Sequence, residues 1–281
     1  MRAWAIVGFM SLTASRPVGE LIRDWRQRRR LSQLDLACEA DISTRHLSCV
    51  ETGRAMPSRE MLLHLSERLD VPLRERNALL VAAGFAPMFP ERAIDDPALK
   101  PARDAVELVL RAHEPYPAVA VDRHWNVVSL NRACHLFLEG VAPELLQPPV
   151  NVLRLALHPK ALAPRIVNLA EWRDHLIARL HQQIAASADA GLVALMQELV
   201  DYPVPGAAGA RPGHDYGGIV VPLLLDTAAG RLRFFSTITM FGTPVDVTLS
   251  ELAMEAFFPA DDETAAALRR LGDTQPVAEA A

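Results

Sequence analysis

Gln33-Leu34-Asp35-Leu36-Ala37-Cys38-Glu39-Ala40-Asp41-Ile42-Ser43-Thr44-Arg45-His46-Leu47-Ser48-Cys49-Val50-Glu51-Thr52-Gly53 reads as two short helices folded across a tight turn. Ser32 stands just before the first helix with an acid, Asp35, three residues on, which is an N-terminal capping pattern. Ser43 opens the second helix, and Gly53 is a stop signal at its end. Leu36 faces inward, and Ala37 is small where the two helices must cross closely. Ala40 and Ile42 flank the turn, while Leu47 and Val50 pin the second helix onto the first. A crossing near 90–120° through a turn of three to four residues is what this pattern serves. Only that geometry lets the second helix stand proud enough to enter a groove ~12 Å wide.

On either side the sequence continues in short helices. Leu21, Ile22 and Trp25 share one face of a helix beginning at Val18, and Leu31 follows where it ends. Met56-Pro57-Ser58 restarts the chain, Met61, Leu62, Leu65 and Leu69 mark one apolar face, and a fifth helix runs from about Leu73 to Ala83 before Gly84. Residues 18–85 are therefore expected to form an all-α, five-helix helix-turn-helix domain. Residues 86–101, with four prolines and little periodicity, read as a linker.

In this flanked form the segment resembles the Cro/C1-type helix-turn-helix family, also called XRE-type regulators. The matching residues are Ser32-Gln33, Leu36-Ala37, Leu47, Val50-Glu51, Gly53-Arg54 and Pro57-Ser58. One position departs: Asp41 stands where the family usually places Gly in the turn, a substitution a left-handed backbone tolerates at some cost. The resemblance implies double-stranded DNA as a partner and places Thr44, Arg45 and Cys49 against base edges. Arg45 carries the most discriminating chemistry, because a guanidinium can bridge guanine O6 and N7. Gln33, Thr52 and Arg54 are expected to grip phosphates, which position the domain without reading sequence. Arg28–Arg30 could add to that grip. Arg26 is expected instead to pair with Glu51 in the interior.

After the linker the pattern changes. Ala118–Val121 and Trp125–Leu130 are β-prone runs joined by Asp122-Arg123-His124, and Ile219–Leu225 and Leu232–Met240 suit a second hairpin. Between them Ile166 to about Leu199 is helical, with Ile166, Leu169, Trp172, Leu176, Ile177 and Leu180 on one stripe. Pro203–Gly218 reads as a mobile loop, and Leu249–Leu271 as a helical tail interrupted by Pro259. Strands, helices, then strands give an α+β domain over residues 102–271, an antiparallel sheet with helices on one side. Residues 272–281 form a tail.

Asp122-Arg123, Trp125-Asn126-Val127-Val128 and Asn131 resemble the start of a PAS-like fold. Phe235-Ser236-Thr237, Phe241 to Leu249, and Phe257-Phe258-Pro259-Ala260-Asp261 make residues from about 98 to 271 look like the ligand-binding region of MmyB-like regulators. That resemblance implies a small-molecule effector held between sheet and helices. Phe137, Ile166, Leu169, Trp172, Leu176, Phe235, Ile238 and Met240 are candidate pocket walls, and each could equally be plain core. Arg165, Asn168, Arg173 or His175 could receive a polar head group. A fatty-acid-like ligand is then expected, since each buried methylene is worth ~0.8 kcal/mol and one arginine can anchor the acid. No other cofactor and no metal is expected.

Composition sets the outer limits. Half of the 281 residues are apolar and 22% are charged, which excludes a disordered chain. The formal charge of −5 hides an asymmetry: residues 1–92 hold 14 arginines against 11 acids, and the remainder 15 basic against 23 acidic residues. A basic head on an acidic body fits two domains with different partners. Cys38, Cys49 and Cys134 offer neither a disulfide framework nor zinc spacing, and a cytoplasmic location without membrane contact is expected. Residues 1–17 read as a disordered extension, although Ala3–Leu12 could pass for an export signal. His124, His135, His158, His175 and His181 in the second domain sit in no HExxH, GxSxG or glycine-rich phosphate motif, so it is not read as an enzyme. The sequence therefore predicts a homodimeric, sequence-specific DNA-binding regulator with a sensory domain. The alternative is a constitutive regulator whose second domain only dimerises.

Overall fold

In a computed structural model, residues 16–204, 221–241 and 246–274 are described. The chain divides into two compact units, Met1–Pro90 and Glu91–Ala281. The possible export signal at Ala3–Leu12, nearly all of the Pro203–Gly218 loop, the first residues of the Ile219 run, Gly242–Val245 and the end of the tail lie outside the described residues.

The first unit contains five helices: α1 (Val18–Arg28), α2 (Gln33–Glu39), α3 (Thr44–Glu51), α4 (Arg59–Arg68) and α5 (Leu73–Ala82). Capping fixes where several of them start. The Ser32 hydroxyl accepts from the Asp35 N–H while the Asp35 carboxylate accepts from the Ser32 N–H, and the Ser43 and Ser58 hydroxyls cap α3 and α4 by accepting from the N–H groups of His46 and Met61. Ile22, Trp25, Leu36, Leu47, Val50, Leu62, Leu65, Leu79 and Leu80 are buried together as the core of this unit. The α2–α3 turn closes through Asp41 at φ 51°, a left-handed residue as the sequence required. His64 on α4 holds the same corner, its Nε2 3.1 Å from the Ala40 carbonyl oxygen.

The segment expected as a linker is structured at both ends. Asn77 exchanges hydrogen bonds with Met88 and Phe89 in the first unit. In the second, Arg92 pairs with Asp246 at 2.8 Å, and helix α6 (Lys100–Ala112) begins before the stretch is over.

The second unit is built on β1 (Ala118–Val121), β2 (Val127–Leu130), α7 (His135–Leu138), α8 (Val152–Leu157), α9 (Leu169–Ser187), α10 (Ala190–Val200), β3 (Leu223–Thr227), β4 (Gly230–Met240), α11 (Val247–Ser250), β5 (Ala253–Pro259) and α12 (Asp262–Thr274). The five strands form one antiparallel sheet in the order β2-β1-β5-β4-β3. Both expected hairpins are present. The first turns through Asp122, whose carboxylate accepts from the N–H groups of His124 and Asn126, so the second strand starts at Val127, two residues later than the sequence implied.

Three expectations are corrected. The Leu249–Leu271 tail is not one interrupted helix: Ala253–Pro259 is the central strand, paired to β1 on one side and β4 on the other. Ala, Met and Glu favour helices in isolation, but ladder pairing on both edges and burial of side chains on both faces override that preference. The long middle helix is two, broken where Ala188 turns left-handed and Asp189 caps α10, and Ile166 precedes them in a bridge to Leu225. Finally, the sheet is covered on both faces. Ala118, Ala120 and Met254 pack with Val106 and Leu110 of α6, whereas Val119, Val121, Phe234 and Phe257 face α8, α9 and α10.

Candidate functional site

In the first unit the geometry centres on α3. Leu47, Val50 and Glu51 are buried, which turns the opposite side of the helix to solvent. Arg45, Thr52 and Arg54 are exposed, and Thr44, Ser48 and Cys49 are partly so. At helical spacing Arg45, Ser48, Cys49 and Thr52 form one outward stripe, with Thr44 on its flank. Ser48 was not anticipated; its position one turn after Arg45 was the available signal. The Thr52 hydroxyl donates 2.7 Å to the Ser48 carbonyl, so it is turned back along the helix.

Beneath that stripe lies a buried ion pair. Arg26 Nε and Nη2 donate to the two Glu51 carboxylate oxygens at 2.6 and 2.9 Å, and Arg26 Nη1 donates to the Leu31 carbonyl. The Arg26–Glu51 pairing is thus present. Gln33 Nε2 donates to Glu51 Oε2 at 2.7 Å, which commits the side chain expected to clamp phosphate. What Gln33 can still present is the first backbone N–H of α2. Burial would raise the Glu51 pKa, but the hydrogen bonds from Arg26 and Gln33 outweigh it and hold the carboxyl below its ordinary range. Arg29 is spent inside as well, on the carbonyls of Leu69 and Asp70.

In the second unit a cavity of about 280 Å³ opens between the sheet and the helices of the larger core. Its walls include Val119 of β1, Val127 and Leu130 of β2, Phe137 of α7, Trp172 and Leu176 of α9, and Phe257 of β5. Of the expected lining residues, Phe137, Ile166, Trp172 and Leu176 are there. Phe235 is not: strand alternation puts it on the opposite face of the sheet, stacked on Phe258 at 5.2 Å. Ile238 and Met240 are 39% and 62% exposed near the end of β4, beyond the cavity.

The candidate polar anchors are occupied elsewhere. Arg165 donates to the carbonyls of Leu136, Glu139 and Asp226, and Asn168 ties Pro222 and Leu224 to the start of α9. Arg173 donates to the Val200 carbonyl. His175 lies against Trp172 with ring centroids 5.4 Å apart, and burial, aided by the nearby Arg179 charge, favours its neutral form. Among the described residues no cluster of His, Cys, Asp and Glu could hold a metal ion, and no helix is long and apolar enough to cross a membrane.

Residues 102–271 match the family of the MmyB-like transcription regulator ligand binding domain, and residues 17–79 match a helix-turn-helix domain. The chain belongs to the MmyB-like transcription regulators. It joins a DNA-binding helix-turn-helix unit to a ligand-binding domain. Among curated proteins none matches it. A solved structure described as an RNA-binding Light-Oxygen-Voltage receptor is similar at 12% identity over 98% of this chain and 70% of that one, with a TM-score of 0.26, too low to bear on fold or function.

Two polar residues on the cavity wall of this MmyB-like regulator escaped the sequence reading. Cys134 is buried there with its thiol donating to the Ala118 carbonyl, and burial pushes its pKa up to about 12, which makes it unreactive. Glu255 was hidden because its strand read as helix. No local signal could have exposed it, because Leu252-Ala253-Met254-Glu255-Ala256 shows no alternation of period two.

Proposed function

We propose that α3 reads DNA sequence through Thr44, Arg45 and Cys49, that Gln33, Thr52 and Arg54 contact phosphates, and that an apolar effector in the second unit's cavity alters the affinity of a homodimer for its operator. The observation that carries this reading is the outward stripe of α3, with an exposed arginine at its start and its inner face locked down by Leu47, Val50 and Glu51. A helix so presented can bring a guanidinium to a guanine edge while the N-terminus of α2 meets the backbone. The apolar cavity, in the domain whose family binds ligands, supports the sensory half of the reading.

The test is a binding titration on a site selected from random oligonucleotides and on its scrambled counterpart, at several salt concentrations. Arg45→Ala is expected to lose about 1–3 kcal/mol on the selected site and much less on the scrambled one. Arg54→Ala is expected to weaken both equally and to lower the salt slope by about one. Equal losses for Arg45→Ala on both DNAs would overturn the assignment. A bound effector that couples the units is expected to shift operator affinity by about 5–150-fold. The native mass on the selected site should be that of two chains.

A further inference from the structure

Glu255 lies in the middle of β5, opposite Val119 of β1 and Ile238 of β4, and it lines an otherwise apolar cavity. Its side chain is 6% exposed. Oε1 accepts from Arg179 Nη1 at 3.1 Å and from Ser236 Oγ at 2.8 Å. Among the described residues Oε2 accepts only from Arg179 Nη2, at a long 3.3 Å. An ionised carboxylate offers about four acceptor sites, so acceptor capacity remains on Oε2. Arg179 is turned the other way, with its guanidinium 4.5 Å over the Trp125 ring. Stability does not account for the pair: apolar side chains of similar volume commonly serve a core as well or better than a buried ion pair. A charged group kept at the edge of an apolar cavity is then explained by what the cavity receives.

The same wall decides against an acid. Arg165, Arg173 and His175 do not line the cavity, so among the described residues no cation on its wall is presented to a ligand carboxylate, which would instead meet Glu255. A cationic ligand gains little either, because Arg179 already balances the Glu255 charge. We propose that Glu255 orients the effector, and that the effector is an uncharged, mostly apolar molecule presenting one hydrogen-bond donor, such as an alcohol or phenol hydroxyl, rather than a free fatty acid. This rests on the reading of the cavity as the effector site.

A cavity of about 280 Å³ is nearly twice the ~150 Å³ that holds benzene, which sets the probe at about ten heavy atoms. Calorimetric titration of the full chain at neutral pH with octan-1-ol, 1-methoxyheptane and octanoate separates the cases. The alcohol is expected to bind roughly tenfold tighter than the ether, which has no donor, and octanoate weakest of the three. Glu255→Gln is expected to shrink the preference for the alcohol over octanoate at least tenfold. Because that change strands Arg179, the paired variant Glu255→Leu with Arg179→Met serves as the second probe, and it should bind alcohol and ether alike. The ranking on the unmodified chain is decisive even where neither variant folds. Octanoate binding as tightly as the alcohol, or variants that keep the original ranking, would overturn the role of Glu255 while leaving the cavity a ligand site. No binding of any of the three would overturn both.

Discussion

A methyl group added to Gly19 would sit 2.2 Å from the Val50 carbonyl oxygen and 2.8 Å from that of Glu51. Both contacts are with backbone at the end of α3, which cannot rotate aside as a side chain would. The absence of a side chain on α1 is what lets it close onto the recognition helix. Gly19→Ala is therefore expected to cost about 1–3 kcal/mol of stability by forcing the two helices apart, although alanine is the better helix former. Urea unfolding of the variant against the unmodified chain measures it, and an unchanged midpoint would mean that α1 and α3 are not held at this separation. Nothing in the sequence marks Gly19, because the need for it comes from a helix some 30 residues away. Asp41 was legible for the converse reason: a left-handed turn is a local requirement.

At the scale of elements, the buried Arg26–Glu51–Gln33 group ties α1 and α2 to the last turn of α3. Its pH dependence follows from Glu51, whose folded-state pKa is held below the ordinary glutamate value of about 4.3. The unfolded chain then binds more protons than the folded one in that range. The stabilisation is fully present above it and is lost as pH falls below it. Glu51→Gln should remove this component, so that stability differs most between variant and parent at neutral pH and the two converge in acid. Chemical unfolding across an acid series checks this, and parallel curves would show that Glu51 does not hold the pair as an ion. The helices around this group were readable because caps and apolar spacing are written locally: Ser32 with Asp35, Ser43, Ser58. Strand β5 was not, because Ala253-Met254-Glu255-Ala256 carries helix formers whose fate is settled by β1 and β4 on either side. Misreading that strand also hid Glu255, and with it the polar end of the cavity. The apolar walls drawn from α9 were legible because a helical stripe of Trp172 and Leu176 shows itself in sequence. Phe235 was misplaced for want of the register that assigns each strand residue to a face, whereas Ile238 and Met240 share the face of Glu255 but stand exposed beyond the end of the cavity.

For the whole molecule, the change of unit between Pro90 and Glu91 predicts how the chain divides. The first unit has its own core, from Ile22 to Leu80, and its last ordered contacts, Asn77 with Met88 and Phe89, end just before that point. The second holds the sheet with both of its covered faces and the whole cavity wall. Residues 16–90 expressed alone are therefore expected to fold, with a cooperative thermal transition and the α-helical signal of five helices. That fragment keeps α3 and every residue assigned to DNA, so its base preference should match that of the full chain. Its affinity should not. If dimerisation resides in residues 91–281, the fragment binds one half-site at a time and loses the gain from a linked second contact, which commonly reaches 10²–10⁴-fold. It should also be indifferent to any effector that shifts the full chain, since the cavity is gone. Titrating fragment and full chain on the same selected operator, with and without effector, reads all three quantities together. A fragment that binds as tightly as the parent would place dimerisation in the helix-turn-helix unit instead, and a fragment that still answers the effector would remove the cavity from the regulatory path.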